Sequence, residues 1–193
     1  MTDPRRATRQ AMRERRRALP APARIAAAEA LAERLLALPF APGSGFVAGY
    51  WAMDGEMPLH AWQMRLPRGV RYCLPVLHAG EVLRFAPWQP GMALVDNRYG
   101  IPEPDVAPAD LLRPEQLDLV VVPVVAFDAR GHRLGMGGGW YDRSFAFRLS
   151  RPAPPRLVGA AFALQRADAI APEPWDIPLD AICTESETLL VSP

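Results

Sequence analysis

The sequence predicts an α/β fold: a single three-layer domain with a mostly parallel central sheet. Three observations carry this. Short apolar or β-branched runs alternate with short helix-compatible segments along the whole chain, the pattern of a sheet with helices packed on it. Residues 117–122 end in the most continuous β-branched run of the chain, as expected of a strand buried on both faces. A glycine-rich turn follows that strand, where ligands of open α/β sheets bind, at the carboxyl ends of the strands.

The elements follow in order. Thr2 or Asp3 would cap a first helix, with Pro4 in its first turn, running to about residue 19. Arg5, Arg9 and Arg13 recur every four residues and share one face. Residues 18–22 hold two prolines and break the run. A second helix is expected over 23–37, with Ile25, Ala28, Leu31 and Leu35 on its apolar stripe. Residues 46–51 are a short strand, 58–64 a short helix, 70–77 and 82–85 strands. Residues 89–108, rich in proline and glycine, are expected to be a loop. A helical turn at 111–116 precedes the buried strand, and 144–149 suits a helix. Residues 157–163, 181–184 and 188–191 are the late strands.

Composition sets bounds. A chain of 193 residues, half apolar and 22% charged, is sized for one domain with a real core. Its apolar runs are too short to span a bilayer. The arginine-rich start has no apolar segment of a secretory signal and little serine for a transit peptide, so a cytoplasmic protein is expected. Cys73 and Cys183 are isolated in sequence; buried thiols in a reducing compartment are the expectation, with a disulfide between them left open. The three histidines form no ligand pattern. The net charge of +1 conceals an asymmetry: residues 1–24 carry eight arginines against two acids, while the remainder is net acidic. The basic arm therefore requires a negative counterpart, whether the body of the protein, a nucleotide or a polyanion.

The most informative stretch is Arg133-Leu134-Gly135-Met136-Gly137-Gly138-Gly139-Trp140-Tyr141-Asp142-Arg143. Glycines let backbone N–H groups turn toward an anion without a Cβ in the way, and flanking arginines pair with phosphate. Asp142 stands where a metal bridging to phosphate would be held. This reads as a nucleotide-phosphate site, yet it is no familiar one. A Walker A loop needs a lysine, and the chain has none; a dinucleotide fingerprint needs glycine where Trp140 stands.

This stretch resembles the signature Arg-Leu-Gly-x-Gly-x-Gly-Tyr-Tyr-Asp of the 5-formyltetrahydrofolate cyclo-ligase (5,10-methenyltetrahydrofolate synthetase) family. The segment from Val122 to Asp128, the block Gly100-Ile101-Pro102-Glu103-Pro104, the stretch from Tyr50 to Glu56 and the arginine-spaced first helix are similar to other blocks of that family. The resemblance covers nearly the whole chain. It implies a Rossmann-like fold of the NagB/RpiA/CoA transferase-like kind, with residues 1–193 as one domain and the first helix packed on it. It implies ATP-dependent closure of 5-formyltetrahydrofolate to 5,10-methenyltetrahydrofolate, with release of ADP and phosphate. The γ-phosphoryl group would go to the formyl oxygen, N10 would attack the activated carbon, and phosphate would leave.

Residue roles follow from the same resemblance. Arg5 and Arg9 would bind ATP, with Arg5 standing where the family usually has lysine. Arg133, Leu134, Gly135, Met136, Gly137, Gly138, Gly139, Trp140 and Tyr141 would form the ATP cradle, with Arg133 and Tyr141 as the catalytic pair. Asp142 would hold Mg2+ with a second acid, Asp176 or alternatively Asp180. Glu56 would bind the folate, and a carboxylate suits the pterin's amino and ring N–H groups. Trp51, Tyr99, Met136 and Trp140 would line the same pocket, Trp140 replacing a family tyrosine. The expected partners are small molecules only, with no nucleic acid and no membrane, and the expected state is a monomer. The alternatives are a divergent member that binds nucleotide but turns over another substrate, a different enzyme on a similar scaffold, and a nucleic-acid binder using the basic arm. The last is disfavoured by an arm without aromatics on an acidic body.

Overall fold

In the computed structural model, residues 4–191 are described; the expected caps Thr2 and Asp3 lie outside them. Helices α1 (Pro4–Arg17) and α2 (Ala21–Leu36) open the chain. They are followed by β1 (Ser44–Ala48), α3 (His60–Met64), β2 (Gly69–His78) and β3 (Val82–Pro87). Then come β4 (Leu94–Asp96), β5 (Pro102–Pro104), β6 (Leu119–Pro123), β7 (Ala126–Phe127) and β8 (Arg133–Leu134). Helix α4 (Trp140–Ser144) leads to β9 (Arg156–Ala160), β10 (Ala181–Cys183) and β11 (Thr188–Leu190). Short 3-10 turns fill the gaps, including Pro114–Gln116, Ala146–Leu149 and Ala163–Gln165.

The main sheet has seven strands in the order β11-β10-β9-β6-β1-β2-β3. Strands β2, β1, β6, β9 and β10 pair in parallel, and the edges β3 and β11 are antiparallel. This is the mostly parallel sheet that the alternating pattern predicts. The chain leaves β1 for β2 on one side and returns with β6 on the other, so the strand order reverses beside β1, where a crevice opens.

Successive side chains along each strand point to opposite faces, and two cores result. Val47, Leu119, Val121, Val158, Ala181 and Cys183 pack with α2 and α3, through Ala28, Leu31, Leu35 and Trp62. Ala48, Val120, Val122, Leu157, Ile182 and Cys73 pack with Phe145 at the end of α4. Three layers follow, as expected. The two cysteines are free and buried on opposite faces of the sheet, which disposes of a disulfide between them.

Several local expectations are corrected. Helix α2 starts two residues early, because Pro20 and Pro22 suit a helix entry and first turn, where no N–H is missed. Ile25 is 58% exposed; it lies roughly 90° round the helix from the centre of the buried stripe, at 100° per residue. Within residues 89–108, β4 and β5 form a small antiparallel pair in place of a plain loop. The expected helix over 144–149 is split between α4 and a 3-10 turn.

Helix α1 buries only Met12 and Arg16 among its described residues. Its C-terminal carbonyls are met by Arg24 of α2, which donates to the oxygens of Arg16 (3.2 Å) and Arg17 (2.7 Å) and, just beyond the helix, of Leu19 (3.0 Å). Gln165 does comparable work at the carboxyl end of β6. It is 1% exposed, donates to the carbonyls of Val124 (2.7 Å) and Val125 (2.8 Å), and accepts from the Phe162 N–H (2.8 Å). Gln165→Ala is expected to lower unfolding free energy by roughly 3 kcal/mol, since it strands buried backbone groups. A urea titration reading less than about 1 kcal/mol would remove Gln165 from that role.

Candidate active site

A cavity of about 770 Å³ opens at the carboxyl ends of β2, β1 and β6, walled there by Pro75 and Leu77, Tyr50 and Trp51, and Pro123. It is the crevice that the strand reversal creates. The glycine loop between β8 and α4 forms one side, α1 crosses another, and the segment 173–176 closes a third.

The loop is anchored at its base. Strands β7 and β8 form a two-stranded hairpin whose turn wraps Asp128, which is 1% exposed. The Asp128 carboxylate accepts the backbone N–H groups of Arg130 (2.9 Å), His132 (3.0 Å) and Ile170 (3.0 Å) and meets His132 Nδ1 at 3.0 Å. Burial alone would raise its pKa, but these hydrogen bonds outweigh it and hold the carboxyl below its ordinary range. Arg133 leaves this hairpin buried, with Nη2 donating to Asp142 Oδ1 at 2.7 Å. Its Nε is buried and has no hydrogen-bond partner among the described residues. The side chain of Leu134 packs into the core with Met12, Val125 and Ile170, so this one member of the expected cradle is absent from the cavity wall.

Residues 135–139 turn through backbone that side chains disfavour: φ is +98° at Gly137 and +66° at Gly139. The loop's outward carbonyls are held by arginines. Arg9 Nε donates to the Gly135 oxygen at 2.9 Å, and Arg143 Nη2 to the Gly138 oxygen at 2.8 Å. Those two oxygens are thus engaged within the protein. Trp140 lies at the rim, with Arg143 and Arg98 over its ring at 5.4 and 5.5 Å and Tyr99 edge-on at 6.4 Å. The residue that departs from the family pattern thus ties the glycine loop to the turn before β5.

The acids divide. Asp142 Oδ1 also accepts the Ile177 N–H at 3.2 Å, which draws the neighbouring Asp176 toward it. Asp176 Oδ2 accepts from Arg5 Nη2 (3.0 Å) and the Glu173 N–H (2.9 Å). Both carboxylates line the cavity. Asp180 does not. It accepts from Arg148 (3.1 Å), Arg156 (2.8 Å) and the Leu157 N–H (2.7 Å), at the opposite, amino ends of β9 and β10, and drops out as the alternative metal acid.

The inner wall carries Glu56, Tyr50, Trp51 and Tyr141. Glu56 Oε2 accepts the Met53 N–H at 3.0 Å, and Oε1 lies 3.7 Å from Arg16 Nη2. Burial pushes its pKa up, opposed by that backbone hydrogen bond and by Arg16. Tyr141 stacks on Phe145, with centroids 6.4 Å apart. Burial, with Glu56 nearby, drives its hydroxyl well above the ordinary range, so it stays a donor. Trp51 meets Trp88 edge-on at 5.9 Å.

Apart from Leu134 and Asp180, every expected site residue reaches one cavity. Among the lining residues to which sequence reading gave no site role are Tyr50, Glu103 and Trp175. Arg143, one of the flanking arginines expected to pair with phosphate, also lines the cavity. Glu103 accepts the Leu77 N–H (2.9 Å) and Asn97 (2.7 Å) across strands, a pairing with no local sequence signal.

Fold and site together define an α/β protein that sets a glycine-rich loop flanked by arginines against an aromatic pocket with a partly buried carboxylate. The match of residues 1–185 to the 5-formyltetrahydrofolate cyclo-ligase family model shows that the chain belongs to that family. It is 38% identical over 180 residues to the 5-formyltetrahydrofolate cyclo-ligase of Escherichia coli K12, covering 91% of this chain and 97% of that one. Among solved structures, the Aquifex aeolicus 5,10-methenyltetrahydrofolate synthetase superposes with a TM-score of 0.82 at 28% identity, covering 98% of this chain and 93% of that one. The Mycoplasma pneumoniae 5,10-methenyltetrahydrofolate synthetase shares the fold, with a TM-score of 0.72 at 20% identity over 95% of this chain and 99% of that one. The protein is accordingly an ATP-dependent ligase of folate one-carbon metabolism. No helix among the described residues is long and apolar enough to cross a membrane.

Gly139→Ala tests the cradle. The added Cβ would meet Arg143 Nη1 at 2.6 Å in a backbone conformation that alanine resists. The expected outcome is a rise of about tenfold in KM for ATP, equivalent to about 1.4 kcal/mol, with a smaller change for the other substrate. Equal kinetics to the parent enzyme would show that the loop tolerates a side chain and does not need this turn.

Proposed function

We propose that this cavity closes 5-formyltetrahydrofolate to 5,10-methenyltetrahydrofolate with ATP, the triphosphate lying along the glycine loop and the pterin against Glu56. The observation that carries the reading is the meeting of two chemically different half-sites in one cavity. The cradle of Arg5, Arg9, Arg133 and residues 135–139 is suited to polyphosphate, and the wall of Glu56, Trp51 and Tyr50 to a flat ring with N–H donors.

The chemical obstacle is a formamide oxygen, a poor leaving group. In the proposed sequence the bond between the γ-phosphorus and ADP breaks as one forms to the formyl oxygen. N10 then attacks the carbon and loses its proton, and the carbon–oxygen bond breaks to release phosphate and leave the methenyl cation. The protein contributes position and charge. Arg133, with an unspent N–H, neutralises charge on the transferring phosphoryl group. Tyr141 keeps its proton and donates to oxygen near the reacting centre. The apolar wall excludes water that would otherwise take the phosphoryl group.

The residues fit magnesium. Asp142 and Asp176 each keep one carboxylate oxygen without a hydrogen-bond partner among the described residues, and magnesium takes one or two carboxylates together with phosphate oxygens. When bound, it would neutralise the β- and γ-phosphates. Asp176 is also the partner of Arg5, so ATP binding would redistribute that pair. We place the activity in a cytoplasmic monomer formed by residues 1–193 as one unit. Two buried free thiols suit a reducing compartment. Small molecules are the partners.

Asp142→Asn is the direct test. It keeps size and removes charge, so ATP-dependent growth of the methenyl product's near-ultraviolet absorbance should fall by at least about a thousandfold, as for loss of a charge clamp on a phosphoryl group. Wild-type turnover by this variant would remove Asp142 from the metal site. Absence of that absorbance with the parent enzyme would refute the reaction itself.

A further inference from the structure

Arg16 is fully buried and lies outside the roles just assigned. Burying a guanidinium is costly and needs a reason. Pairing with Asp54 alone does not supply one, because Arg13 (2.7 Å) and Arg17 already reach that carboxylate. Arg16 does three other things. Its Nε donates to the backbone oxygen of Asp54 at 3.0 Å, gripping the main chain of the turn. Its Nη2 lies between Asp54 Oδ2 (3.0 Å) and Glu56 Oε1 (3.7 Å). Its Nη1 is buried with no hydrogen-bond partner among the described residues, a placement that stability alone would not favour. The turn it grips is strained: Asp54, not a glycine, sits at φ 53°.

We infer that Arg16 is a positioning residue for the folate half-site: it clamps the turn that presents Glu56 and balances that carboxylate's buried charge. The inference rests on the reading of Glu56 as the pterin's partner. The charged and titratable groups around Glu56 are Arg16 and Arg13 from α1, Asp54 from its own turn, Tyr50 after β1 and Tyr141 of α4. Arg16 and Arg13 favour the charged form of Glu56, and Asp54 opposes it. Removing Arg16 therefore makes Glu56 harder to ionise, so folate binding should fail at a higher pH as acid is added.

The test compares Arg16→Met, Arg16→Lys and Glu56→Gln by the KM for each substrate and by the pH profile of kcat/KM for 5-formyltetrahydrofolate. Arg16→Met keeps length and apolar contact, and Asp54 retains two arginines. It should raise the folate KM by about tenfold, move the ATP KM by less than about twofold, and shift the acid limb up by about one pH unit. Arg16→Lys keeps the charge but loses the fork, so it should raise the folate KM while leaving the acid limb in place. If the methionine variant does not fold, the lysine variant decides by that split. An unchanged folate KM, or equal losses for both substrates, in the folded variants would overturn the inference while Glu56→Gln still weakens folate. A Glu56→Gln enzyme with parental folate affinity would instead overturn the role of Glu56, and this inference with it.

Discussion

Helix α1 is fastened to the body by guanidinium groups rather than by an apolar stripe, and the cavity depends on that fastening. Near its start, Arg5 meets Asp176 and Glu173. Midway, Arg9 holds the Gly135 carbonyl. At its end, Arg13, Arg16 and Arg17 converge on Asp54. Exposed ion pairs contribute about 0–1 kcal/mol each. A buried one costs about 3–5 kcal/mol when a single partner is removed. Arg16 is therefore the costliest of these contacts to lose, and it holds the turn at the helix end, while Arg5 and Arg9 hold the start and middle of the helix through partners of their own. One helix thus touches the segment of the proposed metal acids, the glycine loop and the turn carrying Glu56. The basic asymmetry of the first 24 residues is answered largely within the molecule.

Charge within the cavity is arranged in pairs that a polyanion can reorder. Arg133 is held by Asp142 and Arg5 by Asp176, so the cavity carries cations whose partners are the very carboxylates suited to magnesium. In the proposed reading, arrival of triphosphate with its metal would give arginine a phosphate and carboxylate a cation. The absence of lysine matters here. A guanidinium stays charged when buried and presents a planar fork, so it can hold a carbonyl and a phosphate together, as a point-charge ammonium does less well.

Much of this was legible in the sequence because its causes are local. The β-branched run at 120–122 needs burial on both faces, and the glycines at 137 and 139 are required by left-handed backbone. The spacing of Arg5, Arg9 and Arg13 puts them on one side of a helix. What was not legible came from long-range pairing. Residues 89–108 read as a loop because proline and glycine mask a strand pair closed by Glu103, whose partner Leu77 lies 26 residues away. Asp180 stood as the alternative to Asp176, four residues away, but the sheet puts it at the other end of its strands. Leu134 sits inside the motif, yet strand alternation turns its side chain into the core. Arg16 was one arginine in a run of three, and only the packed turn sets it apart.

In the proposed chemistry the γ-phosphoryl group goes to the formyl oxygen and leaves with it. The most direct measurement uses substrate labelled with oxygen-18 in the formyl group, turned over once by the enzyme with ATP and magnesium, and follows the label by mass spectrometry. The label should appear in inorganic phosphate. Label found in water, with unlabelled phosphate released, would mean that ATP hydrolysis and ring closure are separate events and would contradict that chemistry.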